Sequence, residues 1–303
     1  MNGFIVIDKP AGITSHDVVN RVRRILGTKK VGHTGTLDPF ATGVLPVAVN
    51  DGTKAIPFLD EGCKCYEAVM RLGVVTDTLD LTGKVLREAD YSTVDRQSLE
   101  VAMTRFTGAI SQVPPMFSAI KRDGQPLYKL ARQGQDVERV ARQIEIKSLE
   151  LLSFEPPFVG LRVNCSRGTY VRSLADDIGA ALGCGAVLQE LRRTASGPFG
   201  ISAALSIETL ELAVGSVAVR ADLFVSPYAA LSHLVDIPLA DTGLFKVKHG
   251  ISPGWGDTAL SMPLDFHAPI LARLSCDQAL VAVAQLVPVT DNPVRIILKR
   301  VFI

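Results

Sequence analysis

The chain has no charge-free apolar run of about 18 residues, the length that carries a helix across a bilayer. Its first residues, MNGFIVIDKPAG, have neither the basic start nor the long apolar stretch of a secretory signal. A protein of the cytoplasm, with no membrane association, is expected. Cysteine is sparse: Cys63, Cys65, Cys165, Cys184 and Cys276 make five, an odd number. No second Cys or His pair stands at the spacing of a zinc site, so free thiols and no metal are expected. Cys63 and Cys65 flank Lys64 in a strand-like run, with their sulfurs expected on opposite faces.

Cofactor and nucleophile signatures are missing as well. A phosphate loop of the G-x-x-x-x-G-K-[ST] kind needs its lysine after the second glycine, but in GTKKVGHTGT Lys30 comes before it. No dinucleotide G-x-G-x-x-G occurs, and no serine is set in a hydrolase nucleophile elbow. No repeat of fixed period is visible. Neither sign of charge dominates, with a net charge of +1. A neutral sum can still hide a basic patch. Candidates are Arg21, Arg23 and Arg24 with Lys29 and Lys30, then Lys121 with Arg122, then Arg192 with Arg193.

What is present is a chain of 303 residues, 47% of them hydrophobic, enough for a sizeable core. GFIVIDKPAG predicts a short strand stopped by Pro10 and Gly12. TSHDVVNRVRRILG predicts a helix capped by Thr14 or Ser15, with Val18, Val22, Ile25 and Leu26 inward and Gly27 at its end. An apolar strand is expected at Val44–Val49, and CKCYEAVMRLG places Tyr66, Ala68, Met70 and Leu72 on one face of another. TDTLDLTGKV is a polar turn. Leu99, Met103 and Phe106 mark a helix ended by Gly108. Residues 111–139, proline-rich and basic, form a long exposed excursion. RQIEIKSLELLSF and FVGLRVNCS are strands. GTYVRSLADDIGAALG is a helix capped by Thr169, with Val171, Leu174, Ile178 and Leu182 inward. SIETLELAVG and SPYAALSHL are helical. From about Pro238 the runs GLFKVKHG, APILARLS, ALVAVAQLVPV and VRIILKRVFI predict a small all-β domain. Strands and helices interleave without a βαβ rhythm. The fold class is therefore α+β, with a mixed, mostly antiparallel central sheet.

The segment GHTGTLDPFATGVLPV places one carboxylate, Asp38, in a turn followed by an apolar run. An Asp before Pro is often a simple turn initiator. Leu37, Phe40 and the apolar residues beyond argue instead that this turn is partly buried. A buried carboxylate needs a cation or hydrogen bonds. Arg172, between Val171 and Leu174, is a candidate partner that would hold Asp38 ionised against desolvation. An ionised, dry carboxylate serves as a nucleophile or a base.

GHTGTLDPFATGVLPV, KCYEAVMRLGVVTDTLDLTG and GTYVRSLADDIG together resemble the bacterial tRNA pseudouridine-55 synthases, the TruB type. IVIDKPAGITSHDVVNRVRRILG, VPPMFSAIKRDGQPLYKLARQG and LRRTASGPF share the resemblance. It spans roughly residues 3 to 200, in order, and weakens after about residue 235. It implies a pseudouridine synthase catalytic domain over 1–235, with 111–139 touching RNA, and a PUA-like RNA-binding domain over 238–303. It implies Asp38 as the catalytic aspartate, Arg172 as its partner and Tyr66 as the aromatic that stacks on the target base. His33, Tyr170 and Leu191 match positions around a flipped nucleotide. Lys9 and Pro10 match a supporting motif packed around the site, and Asp80 a residue behind it.

The implied reaction, uridine to its C-glycoside pseudouridine in the T-loop of tRNA, moves a glycosidic bond from N1 to C5 without net redox change. It calls for no nicotinamide, flavin or metal. The implied partner is the tRNA T-stem-loop, bound by a monomer with no obligate protein partner. Two alternatives stay open: an RNA-binding or tRNA-folding module without chemistry, and a pseudouridine synthase acting on another RNA.

Overall fold

The structure, a computed structural model, describes residues 2–60, 62–215, 223–261, 265–289 and 292–302. Strand β1 (Gly3–Lys9) leads through a turn into helix α1 (Ser15–Leu26). Thr14 caps α1: its hydroxyl accepts the Asp17 N–H at 3.1 Å, and the Asp17 carboxylate accepts the Thr14 N–H at 2.9 Å. Gly27, left-handed at φ 61°, ends the helix. Val18, Val19, Val22 and Leu26 are buried, and Ile25 is half-buried beside them.

β2 (Val31–His33), β3 (Thr42–Val49), α2 (Gly52–Ala55) and β4 (Lys64–Leu72) follow, then a hairpin of β5 (Val74–Thr76) and β6 (Val85–Glu88). Next come α3 (Arg96–Thr104), β7 (Gly108–Gln112), β8 (Lys121–Arg122), β9 (Gln125–Pro126) and α4 (Leu127–Arg132). The domain continues with β10 (Arg142–Glu155), β11 (Phe158–Cys165), α5 (Val171–Ala181), β12 (Ala186–Ser196), β13 (Phe199–Gly200), α6 (Ile207–Gly215) and α7 (Pro227–Ala230). Among the described residues the central sheet runs β1-β3-β12-β4-β11-β10-β7, with β2 on β3 and β13 on β12. Its pairs are antiparallel except β3–β12, so the sheet is mixed and mostly antiparallel as expected.

The alternation in β4 is carried through: Tyr66, Ala68, Met70 and Leu72 are all buried on one face. They join Ile5, Ile7, Leu45 and Val47 and the apolar sides of α1 and α5 in the main core. The expected Thr169 cap is absent, because α5 begins at Val171 and its flanking residue is Tyr170, without a side-chain cap of its own. Gln112 on β7 takes over instead, accepting the Tyr170 N–H at 2.8 Å and donating to the Tyr170 carbonyl at 3.1 Å. Cys63 and Cys65 do not diverge: both thiols reach the Asn164 side chain, at 2.6 and 3.6 Å. Residues two apart on a strand share a face.

The C-terminal part has its own sheet, ordered β14 (Val235–Pro238), β15 (Ile270–Cys276), β16 (Ala279–Val289) and β17 (Asn292–Val301). GLFKVKHG, expected as a strand, lies mostly in helix α8 (Asp241–Lys248). Leu244 and Val247, three apart, turn toward the C-terminal core, a spacing that serves a helix. Leu280, Val283 and Phe302 of this part share one hydrophobic cluster with Phe4, Val6, Val44 and Ala48, which also takes in Ala230 and Leu231. Phe4, Val6, Val44 and Ala48 are the alternate residues of β1 and β3, facing away from the main core.

Candidate active site

A cleft of about 930 Å³ opens on the main-core side of the sheet, and Asp38 lies in its lining. The turn carrying Asp38 is tied down on both sides. Ser15 of α1 accepts the Leu37 N–H at 2.9 Å and donates to the Leu37 carbonyl at 3.2 Å. The Pro39 carbonyl accepts the Gly12 N–H at 2.8 Å and the Lys9 ammonium at 3.1 Å. Leu37 itself is buried, and the Ala41 N–H closes the turn on the Asp38 carbonyl at 3.1 Å. The apolar flanks therefore anchor the turn, and the single acid is left pointing at the cleft.

Arg172, the second residue of α5, meets it. Nε lies 2.9 Å from Asp38 Oδ2, and Nη2 donates to Oδ1 at 3.1 Å, so the carboxylate is gripped at both oxygens. The guanidinium is 3% exposed, whereas Asp38 keeps 33% of its side chain open to the cleft. The remaining Arg172 bonds go to the Thr78 carbonyl at 3.0 Å and the Phe117 carbonyl at 2.9 Å. Asp80 Oδ2 is 3.6 Å from Nη1. Asp80 is in turn held through Oδ1 by the hydroxyls of Thr78 and Thr82 and by the Thr82 N–H, at 2.8, 2.6 and 2.9 Å. This polar turn thus sets the arginine from behind.

Burial pushes the Asp38 carboxyl pKa up, Arg172 pulls it back, and the negative Asp80 adds to the rise. The net direction is upward. Lys9 lies beneath the turn, wholly buried, and donates to the carbonyls of Pro10, Ile13 and Pro39 at 2.9, 2.8 and 3.1 Å. Desolvation lowers its pKa to about 8, against the pull of Asp38. Pro10 differs from expectation: its ring is exposed, and what it supplies is its carbonyl.

Tyr66, Leu191, His33 and Tyr170 all line the same cleft. Tyr66 and Leu191 stand on the buried faces of adjacent strands, and Leu191 is paired with Ala68. Burial raises the Tyr66 hydroxyl pKa, with Arg193 pulling it down, so the resting hydroxyl is neutral. His33 comes from β2, beside the Thr34 N–H bond to the Pro46 carbonyl. The Tyr170 hydroxyl is also raised by burial.

The 111–139 segment is less of an excursion than its composition implies. Pro114, Pro115, Ser118 and Leu127 are buried, and Phe117–Ile120, Tyr128 and Arg132 line the cleft. One cation, Lys64, went unassigned by sequence, and Arg193, expected with Arg192 in a basic surface patch, is instead buried. Lys64 lines the cleft at 9% exposure, and Arg193 is fully buried behind it. Their positions on the Tyr66 face of β4 and β12, at even spacing from Tyr66 and Leu191, were the available signal. Among the described residues no group of three His, Cys, Asp or Glu side chains is placed to hold a metal.

Residues 23–171 match the profile described as TruB family pseudouridylate synthase (N terminal domain), and residues 172–227 the one described as tRNA pseudouridylate synthase B C-terminal domain. The chain is 54% identical over 285 residues to the tRNA pseudouridine synthase B of Geotalea uraniireducens, covering 94% of this chain and 92% of that one. The chain belongs to the TruB family of pseudouridylate synthases. The corresponding Pseudomonas aeruginosa protein is 48% identical over 252 residues, covering 82% of this chain and 83% of that one. Among solved structures, an H/ACA ribonucleoprotein bound to a substrate RNA containing 2'-deoxyuridine includes a chain that superposes with a TM-score of 0.76 at 27% identity. The match covers 99% of this chain and 85% of that one. The fold is thus a pseudouridine synthase fold. As a TruB-family pseudouridylate synthase the protein is an isomerase, since its product has the atoms of its substrate.

Proposed function

We propose that the protein converts uridine 55 in the T-loop of tRNA to pseudouridine, as a monomer and without a cofactor. The observation that carries this reading is the Asp38–Arg172 clamp: one carboxylate, held at both oxygens by a buried guanidinium, yet open to a cleft. A protein that only binds anionic RNA gains nothing from an acid aimed into its binding cleft. The name tRNA pseudouridine synthase B, borne by relatives at 54% and 48% identity, supports tRNA over other RNAs.

The family resemblance and the arrangement of the cleft support the following roles. The target uridine leaves its stack at a cost of a few kcal/mol, and His33 at the cleft rim fills the vacated place. Tyr66 offers a stacking face and Leu191 an apolar wall to the flipped base. Asp38, ionised, acts at C1′ as nucleophile or at C2′ as base. Arg172 keeps it ionised and aimed, with Asp80 setting the arginine and Lys9 and the Pro10 carbonyl fixing the turn. Tyr170 borders the nucleotide. The 111–139 segment and the exposed basic residues Arg24, Lys29, Lys30, Lys121 and Arg122 take loop phosphates and shape, and the PUA-like C-terminal part adds affinity. Mapping pseudouridine in cellular RNA with and without the gene tests the proposal. Position 55 of tRNA should lose its pseudouridine. Loss confined to another RNA, or no loss, overturns it.

A further inference from the structure

Cleaving N1–C1′ leaves the bonding electron pair on the uracil, spread over N1 and its neighbouring carbonyl oxygens. Asp38, the acid open to the cleft, repels that charge, and Arg172 and Asp80 lie behind it. What faces it from the sheet is cationic. Lys64 and Tyr66 are two apart on the buried face of β4, and Arg193 pairs directly with Tyr66 across β12–β4. Lys64 lines the cleft, nearly buried. Arg193 has no exposed surface and is fixed from behind, with Nε on the Val44 carbonyl at 2.7 Å and Nη2 on the Gly35 carbonyl at 3.1 Å. Its Nη1 is buried with no acceptor in hydrogen-bonding geometry among the described residues, although the guanidinium lies close enough to Tyr66 to lower the pKa of its hydroxyl. Gly35 makes room for the pair: at φ +79° it carries no Cβ, and a Cβ there would lie 2.6 Å from Lys64 Nζ.

We propose that Lys64, seated in front of Arg193, is a further catalytic residue that stabilises the uracil anion while it is detached and turning. The inference rests on the pseudouridylate synthase reading of the cleft. The step balances in either form of the Asp38 chemistry. N1–C1′ breaks with its pair going to uracil, as an Asp38 oxygen bonds C1′ or as Asp38 takes the C2′ proton; C5–C1′ then forms with a pair from the ring, as the Asp38–C1′ bond breaks or the proton returns to C2′, C5 loses a proton, and N1 gains one. The cation meets charge that exists only after cleavage, so it lowers the barrier without tightening substrate binding.

The experiment compares Lys64→Met with wild type in single-turnover reactions on a T-stem-loop RNA carrying uridine, read as pseudouridine formed, and on one carrying 5-fluorouridine at the target, read as consumption of the 5-fluorouridine, because its C5 has no proton to lose. Fluorine acidifies the uracil and makes it a better leaving anion. Lys64→Met should slow uridine turnover by about 10²- to 10³-fold, leave RNA affinity within about threefold, and regain at least tenfold of the loss on the fluorinated RNA. Lys64→Arg should retain most activity. Equal slowing on both RNAs, or turnover within about threefold of wild type, overturns the proposal. A melting transition matched to wild type shows that the variant folds, and if it does not, Lys64→Arg and the fluorine effect on wild type decide. A rate on wild type unchanged by fluorine then counts against the anion. Inactive wild-type protein would instead refute the functional reading beneath it.

Discussion

Replacing Arg172 by Met removes the cation and keeps most of the side-chain volume. The lost contacts are both Asp38 oxygens, Asp80, and the carbonyls of Thr78 and Phe117. Breaking a buried pair from one side costs about 3–5 kcal/mol. Asp38 remains 33% exposed to the cleft and can be partly hydrated, so the lower end applies. With roughly 2–4 °C per kcal/mol in proteins of this size, the melting transition at pH 7 should fall by about 6–12 °C.

The pH dependence separates this cause from lost packing. The Asp38 carboxyl pKa already lies above its ordinary value, and without Arg172 it rises further. A carboxyl whose pKa is raised by folding contributes stability below its unfolded pKa and loses it as pH climbs through the folded pKa. The deficit of the variant should therefore be largest at pH 7 and shrink toward pH 4.5. Thermal melts of both proteins across that range are the assay, with turnover expected to fall by about 10²-fold or more as Asp38 loses its aim. A deficit independent of pH, or turnover close to wild type at pH 7, would refute the argument.

Two further outcomes follow from the site and the packing. Tyr66→Phe should bind RNA normally but turn over slowly if the buried hydroxyl hydrogen-bonds the uracil as C5 gives up its proton, whereas Tyr66→Leu should also lose stacking; wild-type rates in both, measured under single-turnover conditions, would leave Tyr66 a core aromatic. Deleting the chain from Val235 should weaken RNA affinity modestly and leave catalysis, because the cleft is on the other side of β1 and β3. The same deletion removes Leu280, Val283 and Phe302 from the hydrophobic cluster that holds Phe4, Val6, Val44 and Ala48, so it should lower solubility and melting temperature, and a soluble but inactive truncation at saturating RNA would place the tail in the site.

Local signals were the most legible in the sequence. The Thr14–Asp17 capping box, the period-2 face of β4 and the apolar anchoring of the Asp38 turn all depend on neighbours in the chain. So does the expectation that an apolar-flanked acid needs a cation, and Arg172, 134 residues away, is that cation. Where tertiary contacts override local preference, the reading failed. Gln112 reaches across from β7 to do what Thr169 was expected to do. α8 has an alternating stretch, Phe245, Lys246, Val247 and Lys248, that suits a strand, but Leu244 and Val247, three apart, both turn to the C-terminal core and fix it as helix. The Phe117 carbonyl on Arg172 is a backbone group and leaves no trace in residue type. Lys64 and Arg193 are charged residues on faces otherwise apolar, a pattern that is informative only once the strands are known to border a cleft.

The most direct test of the account is Asp38→Asn. The substitution keeps the size of the side chain and much of its hydrogen bonding, and removes only the charge that makes it a nucleophile or base. Folding is verified first, since Arg172 loses its partner and a few kcal/mol of stability with it. The account predicts a folded protein that binds a T-stem-loop as tightly as wild type, or slightly more tightly with one negative charge fewer near phosphate, and forms no detectable pseudouridine. Turnover within about tenfold of wild type, an effect of only about 1.4 kcal/mol on the barrier, would contradict it and return Asp38 to the status of a turn residue.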